Sequence, residues 1–140
     1  MTAQFHEHIE INKQSYGLCT EPLQTYLSLM KNPPEFDWCC TACYRGYMGS
    51  WAIKDNILYL TKIEVGGPPF ATFKDWRKMF DNKKGDIKAE WFSGLLRVPK
   101  GEVLEYVHGG YGSKYESDLF ITIDKGNVIK EEVVQNYQQR

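Results

Sequence analysis

The stretch VHGGYGSKYESDLF, residues 107 to 120, places three glycines and several polar side chains between two apolar runs. Glycine tolerates positive φ, so successive backbone N–H groups near Gly110 and Gly112 could form a concave anion site, to which Ser113 and Lys114 would add donors. Neither a Walker nor a dinucleotide fingerprint is present, and strands flank the stretch on both sides. The alternative, which the frequency of glycine in turns favours, is a long hairpin loop whose tyrosines pack back on the sheet.

His108 and Glu116 stand in the same stretch and would form a general acid/base pair if the loop brings them together. A single histidine at a strand end is more often structural, and no nucleophile elbow, zinc-protease helix or Ser-His-Asp order accompanies it. Asp118 and Asp124 share a strand face, but six extended residues separate them by roughly 20 Å, too far for paired acid/base work. The sequence therefore leans away from an enzyme.

The cysteines have part of the spacing of a metal site. Cys40-x-x-Cys43 is a zinc-knuckle spacing, and Cys19, His6 or His8 could complete four ligands. A second pair at matching spacing is missing, and small buried thiols account for the residues as well. We therefore expect no metal and no other cofactor.

Arginine and aromatic residues recur together on the predicted strands. Arg45 lies between Tyr44 and Tyr47, and an arginine among aromatics can present its guanidinium to a carboxylate or phosphate while stacking. If the sheet closes, inward aromatic side chains would line a cavity suited to a flat anionic ligand such as a nucleotide. The predicted ligand-binding residues are Arg45, Trp51, Tyr59, Trp91, Arg97, Tyr106, His108, Gly110, Tyr111, Gly112, Ser113, Lys114 and Tyr115. The alternative is that these aromatics only fill the core.

The elements that would position these side chains are mostly strands. Alternation predicts a strand from Phe5 to Ile11, and helical spacing predicts a short helix after a Thr20 cap. Two runs around Asp55-Asn56 predict a hairpin, and residues 72 to 80 predict a second short helix with an aromatic face.

Four further runs, at 89–98, 103–108, 118–124 and 127–134, predict strands joined in sequence, with PKGE and DKGN as tight turns. Together these runs predict a single domain, residues 1 to 140, of the mainly β class: an antiparallel meander forming a bent sheet or a partly closed barrel, with one or two short helices. A terminal strand such as residues 5 to 11 would lie at an edge, where it could pair with a second copy in a homodimer.

The amino-acid composition limits the classes of partner that the protein is expected to bind. The 140 residues are 42% hydrophobic, 25% charged and 14% aromatic, with a formal net charge of −1, so no overall field attracts a nucleic-acid polymer or an acidic membrane. The first residues have neither the basic start nor the apolar run of a signal peptide, and no run of eighteen apolar residues occurs. We expect a cytoplasmic protein.

The stretches YRGYMGSWAIKDNILYLTKIE and HGGYGSKYESDLF resemble a group of small uncharacterised β-rich proteins of bacterial and prophage genomes. The resemblance spans most of residues 10 to 130 and implies no activity. It draws attention to Arg45, Gly46, Trp51, His108, Tyr111, Gly112, Tyr115, Glu116 and Asp118.

From all of these features we predict a non-catalytic module that binds a small anionic molecule, and the resemblance adds sequestration of a signalling nucleotide by a phage protein. A protein-interaction module, with Tyr44, Tyr47, Tyr111 and Tyr115 as an exposed aromatic patch, is the second hypothesis, and an enzyme using His108 and Glu116 is the third.

Overall fold

The computed structural model describes residues 6–31, 47–65, 71–72, 76–105, 111 and 114–136. Within these ranges the chain forms nine strands, one α-helix and one 3₁₀ helix. The strands are β1 Glu7–Ile11, β2 Gln14–Leu18, β3 Tyr47–Lys54, β4 Ile57–Val65, β5 Ala71–Thr72, β6 Ile87–Lys88, β7 Gly94–Glu105, β8 Lys114–Asp124 and β9 Asn127–Gln135. The helix α1 spans Pro22–Leu29, and the 3₁₀ helix spans Trp76–Phe80.

Two-residue turns connect three of the hairpins. Asp55 and Asn56 have φ of 51° and 60°, as the predicted hairpin between β3 and β4 requires. The predicted DKGN turn joins β8 to β9, with Gly126 at φ 84°. A third turn, at Asn12 and Lys13, joins β1 to β2, a strand that the sequence analysis did not predict.

The strands form one mixed sheet in the order β2-β1-β3-β4-β9-β8-β7, with the short strands β5 and β6 both pairing with β4. The predicted meander is antiparallel at every pairing except one, because β1 lies parallel to β3. A parallel neighbour needs a crossover, and the chain between β2 and β3 contains α1. The prediction that residues 5 to 11 form an edge strand is wrong, since β1 pairs with β2 on one side and β3 on the other.

The sheet is bent and is not closed into a barrel. Strands β4 and β9 share one paired position, Ile57 opposite Asn127, and then diverge. At the two ends of the strand order, β2 lies beside β7, where the backbone N–H of Cys19 donates to the carbonyl of Arg97 at 2.9 Å. The bend therefore brings the first hairpin close to β7 without completing a ladder.

Aromatic side chains fill the centre of the core between α1, the 3₁₀ helix and the sheet. The ring of Trp91 lies 4.8 Å from that of Tyr26, 5.5 Å from that of Phe80 and 6.3 Å from that of Trp51. Burial of each large apolar side chain contributes about 1.5–3 kcal/mol, so this cluster is a main source of stability. The high aromatic content is explained by the core.

Four local predictions are corrected. Thr20 does not cap α1: its Oγ1 accepts from the N–H of Arg97 at 3.0 Å, and Glu21 precedes the helix without a side-chain cap. Of residues 72 to 80, the structure gives a 3₁₀ helix at Trp76–Phe80, whose two end residues are buried, while 73 to 75 lie outside the described residues. The PKGE stretch is an irregular part of β7 rather than a turn, and Lys114 to Ser117 belong to β8 rather than to a loop.

Among the described residues no helix is both long and apolar enough to cross a membrane.

Candidate functional site

A groove of about 440 Å³ lies between the first hairpin and the face of β8 and β9 that it covers. Its lining residues come from β1 and its turn, from β2, from β7 and from the β8–β9 pair: Ile11, Asn12, Gln14, Tyr16, Lys100, Leu119, Glu131 and Val133. Leu119 belongs to the apolar core and also lines the groove. The groove exists because the sheet bends far enough to bring β2 beside β7 without closing.

One wall of the groove is an aromatic ring beside a cation. The Nζ of Lys100 lies 4.9 Å from the centre of the Tyr16 ring, within the range of a cation–π contact. The Tyr16 hydroxyl donates to Oε1 of Gln14 at 2.6 Å, which fixes the orientation of the ring. On β7, Lys100 lies on the same inner face of the sheet as buried Leu96 and Val98, so its ammonium group reaches the groove rather than the outer surface.

The rest of the lining combines opposite charge, amides and apolar surface. Glu131 on β9 is directly opposite Ile121 of β8, and Val133 is opposite Leu119, so both face the groove. Asn12 and Gln14 add side-chain amides, and Ile11 adds apolar surface. This set can hold a flat polar ring against Tyr16 with an anionic group near Lys100, and it offers no nucleophile with an adjacent base.

Arg97 was a predicted ligand residue, and the structure places it in a network on the other face of β7. Its Nε donates to Oδ1 of Asp118 at 2.9 Å, and its Nη1 donates to the carbonyl of Tyr111. The second oxygen of Asp118 accepts from Nδ2 of Asn136 at 2.9 Å. Arg97 thus joins β7 to β8 and to Tyr111 within the glycine-rich stretch, and Asp118 joins the network to Asn136 after β9.

The predicted tyrosines of the glycine-rich stretch pack against a histidine. The rings of Tyr111 and Tyr115 each lie 5.9 Å from the ring of His6, and the Tyr115 hydroxyl is 3.4 Å from its Nε2. Both tyrosines are half-buried. Tyr47, another member of the expected exposed aromatic patch, is 1% exposed and its hydroxyl donates to Gln24 at 3.0 Å. These three tyrosines therefore do not form an exposed patch.

The predicted aromatic lining divides between the core and the opposite face of the sheet. Trp51 is buried beside Trp91, and their indole N–H groups donate to Glu7 and to the Pro22 carbonyl, each at 2.9 Å. Tyr59 alternates with buried neighbours on β4 and faces away from Trp51. Among the described residues, these three rings do not converge on a cavity with Arg97.

Lys114 and Glu116 lie at the start of β8, the lysine exposed and the glutamate half-buried. The Glu116 side chain packs over Gly101, so close that a Cβ at Gly101 would stand 2.8 Å from the Cβ of Glu116. The other predicted residues lie outside the described residues: Arg45, Tyr106, His108, Gly110, Gly112, Ser113, Cys40 and Cys43.

Cys19, the third weak candidate for a metal ligand, is half-buried at the end of β2. Burial raises the pKa of its thiol to about 11, and the effect of burial outweighs the lowering by the Arg97 guanidinium. A thiol with a raised pKa is a poor metal ligand, because the thiolate is the form that binds. Within the described part of the chain, no group of three or more His, Cys, Asp or Glu side chains is placed to hold a metal ion.

The groove residues Tyr16, Lys100 and Glu131 were missed because two features around them were misread. The Asn12-Lys13 pair is a hairpin signal of the same kind as Asp55-Asn56, and it would have predicted β2. The PKGE stretch predicts a turn at Lys100, although the residue lies on β7. Comparison of the chain with protein-family models, with curated proteins and with solved structures finds no match.

Proposed function

We propose that this protein is a non-catalytic module that binds a small anionic, nucleotide-like molecule in the groove between the first hairpin and β8–β9. One observation carries the proposal: the Tyr16 ring and the Lys100 ammonium group lie 4.9 Å apart on one wall of a groove of about 440 Å³. Small-molecule sites typically have volumes of about 300–1,000 Å³ and a few converging polar groups that orient the ligand.

Each part of the lining matches one part of such a ligand. A base would stack on Tyr16 in place of the Lys100 ammonium group that lies over the ring, and that ammonium group would pair with a phosphate. The amides of Asn12 and Gln14 with the Glu131 carboxylate would meet base or sugar hydroxyl and amino groups. Because Glu131 also repels anions, a ligand with one phosphate group fits better than one with several. Sequestration of a signalling nucleotide, which the likeness to prophage proteins suggests, would use the same contacts.

The test is a thermal-unfolding screen of the full chain against nucleoside mono-, di- and triphosphates, nucleosides and inorganic phosphate. A ligand at a hundred times its Kd stabilises the folded state by about 2.7 kcal/mol, which raises the Tm of a domain of this size by roughly 5–10 °C. A screen in which no nucleotide shifts the Tm contradicts the proposal.

Variants locate the site. Tyr16→Leu removes the stacking surface and should weaken binding by about 5- to 150-fold, since a stacked base contributes about 1–3 kcal/mol. Tyr16→Phe keeps the ring and should retain binding, while Lys100→Ala should lose phosphate-dependent affinity. Lys84→Ala changes the charge equally at an exposed position outside the groove and serves as the control. Equal binding by all four variants would place any ligand elsewhere.

A second candidate function is protein interaction, at a surface on β9 that differs from the predicted tyrosine patch. Strand β9 exposes Ile129, Val133 and Val134 at 63%, 54% and 38%. Along most of its length β9 has a strand partner within the described ranges on one side only, and exposed apolar residues on such a strand are a recognised site of strand pairing between chains.

A further inference from the structure

Strand β9 is paired fully on one side only. It pairs with β8 along its length, while on its other side, among the residues that the structure describes, Asn127 alone has a strand partner, Ile57. From Ile129 to Gln135, no strand in the described ranges covers that outer side. Such an edge exposes backbone N–H and C=O groups at alternate residues and is a template for another strand. The side chains of β9 determine which strand can pair with this edge.

The sequence of β9 is complementary to itself when read backwards. If two copies pair antiparallel with Glu131 at the two-fold axis, Lys130 of each copy lies opposite Glu132 of the other. In the same register Ile129 lies opposite Val133, so exposed apolar residues meet each other. Moving the axis by one residue either way places Lys130 or Glu132 opposite its own copy. The charged pairs and the apolar pairs therefore both favour the register with Glu131 at the two-fold axis.

We propose that β9 pairs with β9 of a second copy about a two-fold axis at Glu131, which joins the two sheets into one across a homodimer. The residues that select the partner are Lys130 and Glu132, both exposed and 3.8 Å apart within one chain at their charged atoms. Each charge pair occurs twice in the interface because the dimer is symmetric. The groove and this interface share Glu131 and Val133, whereas Lys130 and Glu132 lie on the opposite face of β9 and do not line the groove, so variants of that pair test the dimer separately from ligand binding.

The axis also brings the two Glu131 carboxylates opposite each other. Like charges directly across a strand pair are destabilising, so they limit the affinity of the dimer. Glu131→Gln removes this repulsion and should tighten the association several-fold. A surface patch that bound an unrelated protein would not depend on Glu131 in this way.

A charge exchange tests the register. Sedimentation velocity on the full chain, from about 1 μM to about 1 mM, should show reversible dimerisation of the wild type. Lys130→Glu and Glu132→Lys each place like charges opposite each other twice, and each should weaken the dimer by about tenfold. The double variant Lys130→Glu/Glu132→Lys restores both pairs and should return the dissociation constant to near the wild-type value.

The matched control is the Lys62 and Glu64 pair on β4, where the charged atoms are 3.4 Å apart. Both residues pair with β3, and Glu64 also pairs with β5, so this pair lies outside the β9 edge and Lys62→Glu and Glu64→Lys should leave the association unchanged. A wild-type protein that stays monomeric over the whole range overturns the proposal. A dimer that the single variants do not weaken, or that the double variant does not restore, overturns it as well.

Discussion

The guanidinium of Arg97 lies against the carboxylate of Asp118, with Nε and Oδ1 2.9 Å apart, and it also donates to the carbonyl of Tyr111. The arginine side chain is 22% exposed and the aspartate 9%, so the pair is largely withdrawn from water. With Asn136 on the second oxygen, Asp118 accepts hydrogen bonds on both oxygens. The arginine that the sequence suggested as a ligand contact thus connects three segments of the protein.

Removal of Arg97 alone should be costly. Arg97→Met leaves the Asp118 carboxylate withdrawn from water without its cation, and loss of one partner of a buried pair costs about 3 kcal/mol. The double variant Arg97→Met/Asp118→Leu should recover at least half of that loss, because no charge is left unpaired. Urea denaturation measures the free energy of unfolding of four proteins: the wild type, Arg97→Met, Asp118→Leu and the double variant. The exposed Lys62→Met is the control, with a cost below about 1 kcal/mol. Strictly additive losses in the double variant would contradict this account.

A second prediction concerns the fully buried Glu7. Its two carboxylate oxygens accept from the Gly49 N–H at 3.1 Å and from Nε1 of Trp51 at 2.9 Å. Glu7→Gln turns one acceptor into an NH₂ group that faces a donor, so the free energy of unfolding should fall by about 1–3 kcal/mol. The change should also alter Trp51 fluorescence. Glu10→Gln, at an exposed position of the same strand, should have almost no effect. Equal stability of the two variants would show that Glu7 has no structural role.

A third prediction separates backbone strain from steric contact. Gly101 has φ of 84° and lies under Glu116, whereas Gly85 has φ of 77° with no atom within 4 Å of an added Cβ. Gly85→Ala therefore reports the strain of positive φ alone, about 1–2 kcal/mol. Gly101→Ala adds a clash with Glu116 and should cost clearly more. Thermal unfolding of the two variants compares them. If they are equally stable, the packing of Glu116 on Gly101 does not constrain β7.

A fourth prediction follows from the raised pKa of Cys19. The pKa rises from an ordinary value of 9.0 to about 11, so in this range the unfolded chain loses the proton more readily than the folded protein. The contribution to stability is complete below pH 9 and is lost as the pH rises towards 11. Because Cys19 is half-buried, we expect a loss of about 1 kcal/mol.

Cys19→Ser provides the reference for this titration, since serine does not ionise in the range while all other groups stay the same. The difference in unfolding free energy between wild type and variant should shrink from pH 8.5 to pH 11. In the same protein at pH 8, peptide mapping after iodoacetamide treatment should find Cys19 alkylated far more slowly than in the urea-unfolded chain. A difference in stability that is constant with pH would contradict the raised pKa.

Local patterns predicted the elements that depend on neighbouring residues. The Asp55-Asn56 and Lys125-Gly126 turns and the alternation in their flanking strands are short-range features, and both hairpins are confirmed. The two residues of Lys100-Gly101 have the composition of a turn, yet β7 continues through them because β8 supplies a partner on both sides of the irregularity. Pairing over a longer distance overrode the local preference.

The groove was harder to predict than the strands. Tyr16 and Lys100 are 84 positions apart in the sequence and meet because β2 lies beside β7. Nothing in the composition of either strand indicates that neighbour. In the same way Trp51 and Tyr59 looked equivalent as aromatic strand residues, and only the pairing of β3 with β4 assigned them to opposite faces.

The order of apolar and polar residues along the chain, with its turn residues, determined by itself that this protein is a mainly β domain with short helices, because strand period and turn chemistry act between near neighbours. The tertiary structure decided the rest: the parallel pairing of β1 with β3, the open side of β9 and the convergence of side chains on the groove. These features depend on the bend of the whole sheet, which is set by the packing of the aromatic core and by contacts between residues far apart in the chain.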